Sequence, residues 1–297
     1  MIRKIFSYIK FILPLILTIG LLINLTIKDT YYWSSLLFYA FPLSILFYLS
    51  FALLLLNFKT KKRLYCLIFW LIVSALWIKQ DYFINIRTNI PNGNNTIVFW
   101  NGAKKNTFLD AFNELKSIPD ILIINEYDQT NKQELKSIKT KYPNYHFQVI
   151  HKKIGIFSKR HVLNLTTFKM KNNSFMLSFD SNINDKLFHF YSIDIIANIK
   201  HFRKTMLKET IGNIKSRENT IILGDFNTPY ESLHFKEYKE QYHHGFSFTG
   251  NGFINTWFWN LPILSLDHAW LSKGIPITET KHLNTWKSDH KIIKIRL

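Results

Sequence analysis

Asp225 and Asn227 lie two residues apart, directly after the apolar run Ile221-Ile222-Leu223. Such a run, with two β-branched residues, reads as a buried strand; Gly224 ends it and Thr228-Pro229 supplies a turn. In extended geometry residues two apart share a face, so a carboxylate and a carboxamide leave the strand end together. That pair can grip a metal ion, a water molecule or a phosphate. It can equally form an ordinary Asx-rich turn, so the rest of the chain must decide.

Other polar residues share the habit of following or preceding apolar runs. Asn101 follows Thr96–Trp100, and Asn125-Glu126 follow Ile121–Ile124. Asp267-His268 open the run to Leu271, and Ser288-Asp289-His290 immediately precede Lys291–Leu297. Loops at strand ends are where α/β folds place their chemistry. A single Glu or Asn there is usually a solvated loop residue, but the recurrence of Asn, Asp, Glu and His at such points favours a shared site. His268 reads as a packing residue, and His189, His201, His243 and His244 as surface or loop residues.

The elements that must position these side chains follow from periodicity. Strands are expected at Thr96–Trp100, Ile121–Ile124, Tyr145–Ile150, Ile154–Ser158, Ile221–Leu223, Leu266–Leu271 and Lys291–Leu297. Ser174–Phe179 and Leu187–Ile195 read as a hairpin joined by the polar stretch Asp180–Asp185. Helices are expected at Phe108–Leu115, which Pro119 stops, around Lys132–Lys141, and at Phe202–Ile214. Strands interleaved with helices, plus a hairpin, indicate an α/β domain with mixed sheets.

The first 87 residues are of another kind. Phe11 to Ile27 and Trp33 to Phe58 are uncharged throughout, and Leu64 to Ile78 is shorter. A spanning helix needs about 20 largely apolar residues, so the first two qualify and the third is marginal on length. Tyr31, Tyr32, Trp33 and Trp77 sit near segment ends, as an aromatic belt would. A cleaved signal peptide fits poorly, because two further apolar segments follow and no small-x-small pattern ends the first. Three membrane-spanning helices over 1–87, a turn-rich linker over 88–95 and a catalytic domain over 96–297 are therefore expected. Lys59, Lys61, Lys62 and Arg63 crowd one loop, which the positive-inside rule places in the cytoplasm. Three spans then put the C-terminal domain outside it, making this a multi-pass protein of the cytoplasmic membrane.

Of 38 Lys and Arg and 20 Asp and Glu in the 297 residues, ten basic and two acidic ones precede Thr88. The remaining 28 basic and 18 acidic residues give the following part a net +10. That balance suits phosphate-bearing partners, although a general Lys and Asn bias explains it as well. Cys66 is the only cysteine, which excludes an internal disulfide framework and a Cys-based zinc site.

Trp100-Asn101, Asn125-Glu126, Gly224-Asp225-Phe226-Asn227, Leu266-Asp267-His268 and Ser288-Asp289-His290, in this order, resemble the endonuclease/exonuclease/phosphatase (deoxyribonuclease I-like) superfamily. Thr256-Trp257 ahead of Asp267 is similar to its membrane-tethered bacterial branch. The resemblance covers Thr96 to Leu297 and implies a four-layer α/β sandwich, two mixed sheets face to face with helices outside. It implies Glu126 as main ligand of Mg²⁺ or Mn²⁺, helped by Asn101 and Asp289. Asp225 and Asn227 would orient a water and hold a phosphate oxygen, His290 would bond the scissile phosphate, and Asp267 would hold that imidazole. The activity implied is metal-dependent hydrolysis of a phosphodiester or phosphomonoester, in nucleic acid, a phospholipid headgroup or a small phosphate ester. One departure stands out: Asp194 occupies a position where many members carry a histidine. That substitution motivates the alternative of a catalytically silent, membrane-tethered domain that binds phosphate or nucleic acid.

Overall fold

Two six-stranded sheets pack face to face because their central strands are apolar on both sides. In β1 (Thr96–Asn101), Ile97 and Phe99 point into the core between the sheets, while Val98 and Trp100 point to the opposite face. That period of two, with both phases apolar, is what a sheet covered on both faces requires. The computed structural model describes residues 2–86, 93–128, 130, 132–151, 153–215 and 218–297. The expected linker at 88–95 falls mostly on residues 88–92, outside those described.

The chain divides into two units, Met1–Tyr82 with Glu231–Leu233, and Phe83–Tyr230 with His234–Leu297. In the first, α1 (Ile2–Leu22), α2 (Tyr32–Ala40), α3 (Leu43–Asn57) and α4 (Arg63–Asp81) follow one another. Tyr8–Ile27 and Arg63–Asp81 are each long and apolar enough to cross a membrane. The segment that looked marginal on length is thus sufficient, because its helix runs on to Asp81, whose carboxylate accepts from Trp77 Nε1 at 3.1 Å.

The long segment Trp33–Phe58 is not one straight span. It is broken into α2 and α3, which bend by 57° and count as a third span only if the pair crosses together. Pro42 is the cause: it has no N–H to give, and it holds Phe41 out of helical geometry (φ −126°, ψ 57°). The carbonyl of Phe41 accepts instead from Asn24 Nδ2 at 2.8 Å, and the same amide nitrogen donates to Gly20 O. Side-chain donors of this kind let a broken helix persist where water is absent.

In the second unit β1 pairs in parallel with β2 (Ile121–Asn125), which is flanked by β4 (Ile154–Ser158) and then β3 (His146–Ile150). On its other side lie β12 (Ile292–Arg296) and β11 (Glu279–Leu283), giving the order β11-β12-β1-β2-β4-β3. The other sheet runs β9-β10-β8-β7-β6-β5, from Tyr242–His244, Asp267–Ser272, Thr220–Asp225, Lys186–Asp194, Phe175–Ile183 and Leu163–Lys169. Ile121, Ile123, Ile221 and Leu223 meet in the core between the sheets. Helices α5 (Phe108–Leu115) and α6 (Lys132–Lys141) cover the outer face of the first sheet through Phe112, Leu115 and Ile138. Helix α7 (Arg203–Asn213) covers the other through Met206, Leu207 and Ile211. The layers are helix, sheet, sheet, helix, as the α/β sandwich reading requires. Thr107 starts α5 by accepting the Asp110 N–H, and the helix ends with Lys116 in the left-handed region, ahead of Pro119.

Two readings needed correction. The hairpin strands run to Ile183 and from Lys186, so the polar stretch is mostly strand, turned by Asn184 and Asp185 at φ 49° and 60°. Positive φ at both positions is the tight-turn geometry that matches strand twist. His244 is buried rather than superficial, and His189 lies in β7 with its Nδ1 2.6 Å from Asp180 Oδ1.

His244 and His268 form a chain with a definite proton order. The Ser247 N–H donates to His244 Nδ1, His244 Nε2 lies 3.1 Å from His268 Nδ1, and His268 Nε2 lies 2.8 Å from Thr228 O. A carbonyl can only accept, so each imidazole uses one N–H and one lone pair, and both are neutral. Burial lowers the pKa of both, His268 from 6.5 to about 4. The unfolded chain therefore binds more protons below pH 6.5, and stability is lost as pH falls from there toward 4. His268 alone contributes about 3 kcal/mol to that loss. Thermal unfolding followed from neutral pH to about pH 4.5 will show a falling midpoint, with a shallower fall in His268→Gln; a flat profile contradicts this assignment.

Candidate active site

Register places three carboxylates side by side. Asp194 ends β7 opposite Asp225, which ends β8, and Asp225 lies opposite Asp267, which begins β10. In the facing sheet Asn101 and Asn125 are register partners at the ends of β1 and β2. Asn125 joins the two sheets: its Nδ2 donates to Ile193 O at 2.7 Å and its Oδ1 accepts from Ser192 Oγ at 2.9 Å. Within its own sheet Gly224 permits the close approach of β7, since a Cβ there would stand 2.2 Å from Ile193 O.

Asp225 is held from two sides. Its Oδ2 accepts from Asn101 Nδ2 at 3.0 Å and its Oδ1 from the Asn227 N–H at 2.9 Å. Asn227 adopts φ 46°, a conformation that Asn tolerates better than most residues. Its side-chain nitrogen donates to Ile195 O at 2.7 Å, and Arg203 Nε donates to its carbonyl at 2.9 Å. Asn227 thus shapes the turn that aims its own N–H at Asp225.

His290 Nδ1 donates to Asp267 Oδ2 at 2.8 Å, both groups being buried. Asp267 is fixed in turn by Thr256 Oγ1, which accepts the N–H groups of Leu266 and Asp267 at 3.1 and 3.0 Å. On the His290 side, Ser288 Oγ donates to Asn101 O and accepts from the His290 N–H. Trp100 Nε1 donates to His290 O. Among the described residues, Asp225, Asp267 and His290 are the His, Cys, Asp or Glu side chains that offer ligand atoms all within 4.8 Å of one another.

Glu126 and Asp289 do not join that grouping. The Asp289 carboxylate accepts from Trp257 Nε1 at 2.9 Å, and its carbonyl accepts from the Trp259 N–H. Glu126 follows β2 at φ 51°, with Lys104 Nζ 3.8 Å from its Oε2. It lines a cleft of about 740 Å³ with Lys104, His151, Lys153, Asp194 and Asn227. The expected site residues are therefore gathered around one strand-end region, with Glu126 on the cleft side and Asp289 on the Trp257 side.

The charges press on one another. Burial and the neighbouring Asp267 raise the Asp225 carboxyl well above the usual carboxylate range. Burial, then Glu126, raise Asp194 to about 6. Burial alone would lower His290, but Asp267, with Asp225 and Asp289 behind it, outweighs this and lifts it to about 10. His290 is then a cation at neutral pH, with Nδ1 committed to Asp267 and Nε2 left to face a substrate.

The donors fit a hard divalent ion. Carboxylate oxygens at Glu126, Asp225, Asp267 and Asp289 predominate, with no thiolate among them. Asp267 Oδ1 is fully buried with no hydrogen-bond partner among the described residues, which is the condition a cation or proton would relieve. Sequence reasoning gave no role to Thr256, Ser288 or Asn125, which hold the set in place. Thr256 was visible as part of Thr256-Trp257, whereas Lys104 and Lys153 offered no pattern at all.

The fold agrees with solved structures. TDP2 of D. rerio complexed with single strand DNA product superposes with a TM-score of 0.50 at 15% identity, over 68% of this chain and 97% of that one. The human Nocturnin catalytic domain with bound sulfate anion gives 0.52 at 16% identity, over 74% and 97%. The 3′ phosphatase NExo from Neisseria bound to product DNA hairpin gives 0.51 at 12% identity, over 68% and 98%. No curated protein sequence matches the chain. Residues 92–290 match the sequence profile described as the Endonuclease/Exonuclease/phosphatase family. That match spans about two thirds of the protein, and the chain belongs to the endonuclease/exonuclease/phosphatase family.

Proposed function

We propose that this protein is a membrane-anchored, divalent-metal-dependent phosphoesterase that hydrolyses its substrate by in-line attack of water. The observation that carries the reading is the buried Asp225–Asp267–His290 grouping, an acid–base set whose polar atoms lie within 4.8 Å of one another. Family membership supports hydrolysis of a phosphate ester, and two of the similar structures hold DNA products, which are phosphodiesters.

Each side chain then has a task. Asp225, held by Asn101 and Asn227, takes a proton from the attacking water; its raised pKa makes it a stronger base than an ordinary carboxylate. The water oxygen forms a bond to phosphorus as the bond to the leaving oxygen breaks; that oxygen departs with the bonding pair and takes up a proton from solvent. His290, kept cationic by Asp267, donates from Nε2 to a phosphate oxygen as charge builds there. Glu126, Asn101 and Asp289 would hold Mg²⁺ or Mn²⁺, which when bound would offset charge on the phosphate and the leaving oxygen.

The test uses the full chain in detergent against plasmid DNA, sphingomyelin and inositol phosphates. Hydrolysis of one of these with Mg²⁺ or Mn²⁺ is expected, and chelation should remove it by several orders of magnitude. Turnover that survives chelation refutes the metal-dependent reading.

The apolar helices Tyr8–Ile27 and Arg63–Asp81, with the bent pair between them, support three crossings of the cytoplasmic membrane. With Lys59–Arg63 in the cytoplasm, the catalytic part lies outside it. Protease added to intact spheroplasts should then digest the catalytic part, and complete protection would refute this orientation.

A further inference from the structure

We propose that Asp194 makes this site selective for phosphodiesters over phosphomonoesters; the inference rests on the phosphoesterase reading above. Asp194 ends β7 directly beside Asp225 and lines the cleft together with Glu126 and Asn227. Among the described residues, no hydrogen bond or ion pair engages its carboxylate. The cleft lining carries Lys104 and Lys153 against Glu126, Asp128 and Asp194, and Lys104 already lies near Glu126. Among the described residues the side chains alone thus give the lining no excess of positive charge, and Asp194 is the cleft carboxylate that adjoins Asp225.

A phosphomonoester carries nearly two negative charges at neutral pH, whereas a diester carries one. Both must approach the same strand end, so the second charge of the monoester meets the Asp194 carboxylate at short range. A carboxylate also cannot donate a hydrogen bond to the extra phosphate oxygen. At the dielectric of a partly open cleft, a charge pair a few ångströms apart changes an equilibrium by about tenfold or more. The ester arm of a diester, uncharged at that position, escapes this penalty.

The experiment compares kcat/KM of the full chain for bis(p-nitrophenyl) phosphate and p-nitrophenyl phosphate at mildly alkaline pH with Mg²⁺ or Mn²⁺. These probes share a leaving group and differ in charge. The wild type should prefer the diester. Asp194→Asn, which keeps the shape, should shift the ratio toward the monoester by about tenfold or more. Asp194→Glu, which keeps the charge, should retain the diester preference. Thermal unfolding of each variant guards against loss of the fold. Arms with a dinucleotide and with lysophosphatidylcholine, either of which meets the expectation, tell a nucleic-acid diester from a lipid one. A wild-type preference for the monoester overturns the proposal. So does an Asp194→Asn ratio equal to wild type, or an equal fall on both probes. If the wild type hydrolyses neither probe nor any substrate of the wider panel, the phosphoesterase reading itself fails.

Discussion

Asp225→Asn will lower kcat by about 10² to 10⁴, the range that a positioned acid or base contributes. The substitution keeps the size of the side chain but removes the group that takes the proton from water. Its effect on stability should run the other way. A carboxylate at this position is buried beside Asp267, and both facts disfavour its charge. The amide leaves one of the two donors, Asn101 Nδ2 or the Asn227 N–H, without its acceptor, at a cost of about 1–3 kcal/mol. Relief of a desolvated, repelled charge is worth several kcal/mol, so the metal-free variant should melt at or above the wild-type temperature. Steady-state kinetics and thermal unfolding, measured on one preparation, test both halves. A variant that is inactive and strongly destabilised would show that Asp225 serves the fold rather than the reaction.

Asp267→Asn should be nearly as costly, by about 10² to 10⁴ in kcat, through a different route. Asp267 touches His290 and is the principal reason that this imidazole remains charged up to about pH 10. Without the carboxylate, burial becomes the largest single influence, opposed only by Asp225 and Asp289, and the imidazole loses its proton at lower pH. The raised pKa means that the cation is present below 10 in the wild type and lost above it. In the variant that limit moves down toward or below the ordinary histidine value of about 6.5. Residual activity should therefore be confined to acidic pH, and an imidazole titration by NMR should show the same displacement. An unchanged pH profile would mean that Asp267 is not what charges His290.

Much of the candidate site was legible because its residues sit where apolar runs stop. Asp225, Asn101 and Asp267 each mark a strand end or start, and strand ends of neighbouring register are brought together by the sheet itself. An α/β domain with mixed sheets was likewise visible in runs such as Ile121–Ile124, apolar in both phases, whereas the two-sheet sandwich followed from the family resemblance. What local pattern could not reveal was whatever depends on residues far apart in sequence. Trp257 on Asp289, Thr256 beneath Asp267 and Asn125 between the sheets are contacts of that kind. Strand β5 escaped notice because it is exposed and its register shifts between Leu163 and Thr166, which breaks the alternation. His244 looked superficial because nothing near it in sequence announces His268 or Trp270, its neighbours in space. Pro42 was plainly present, but the bend it causes depends on Asn24 from another helix accepting the role of donor to Phe41 O.

The proposed reaction turns on water that is activated at Asp225 and attacks phosphorus. Hydrolysis of bis(p-nitrophenyl) phosphate by the full chain in heavy-oxygen water, with mass analysis of both products, tests it most directly. One labelled oxygen is expected on the phosphate product and none on the released nitrophenol, with labelled product from Asp225→Asn formed about 10² to 10⁴ more slowly. Label on the nitrophenol, or labelled phosphate formed by Asp225→Asn at the wild-type rate, would contradict it.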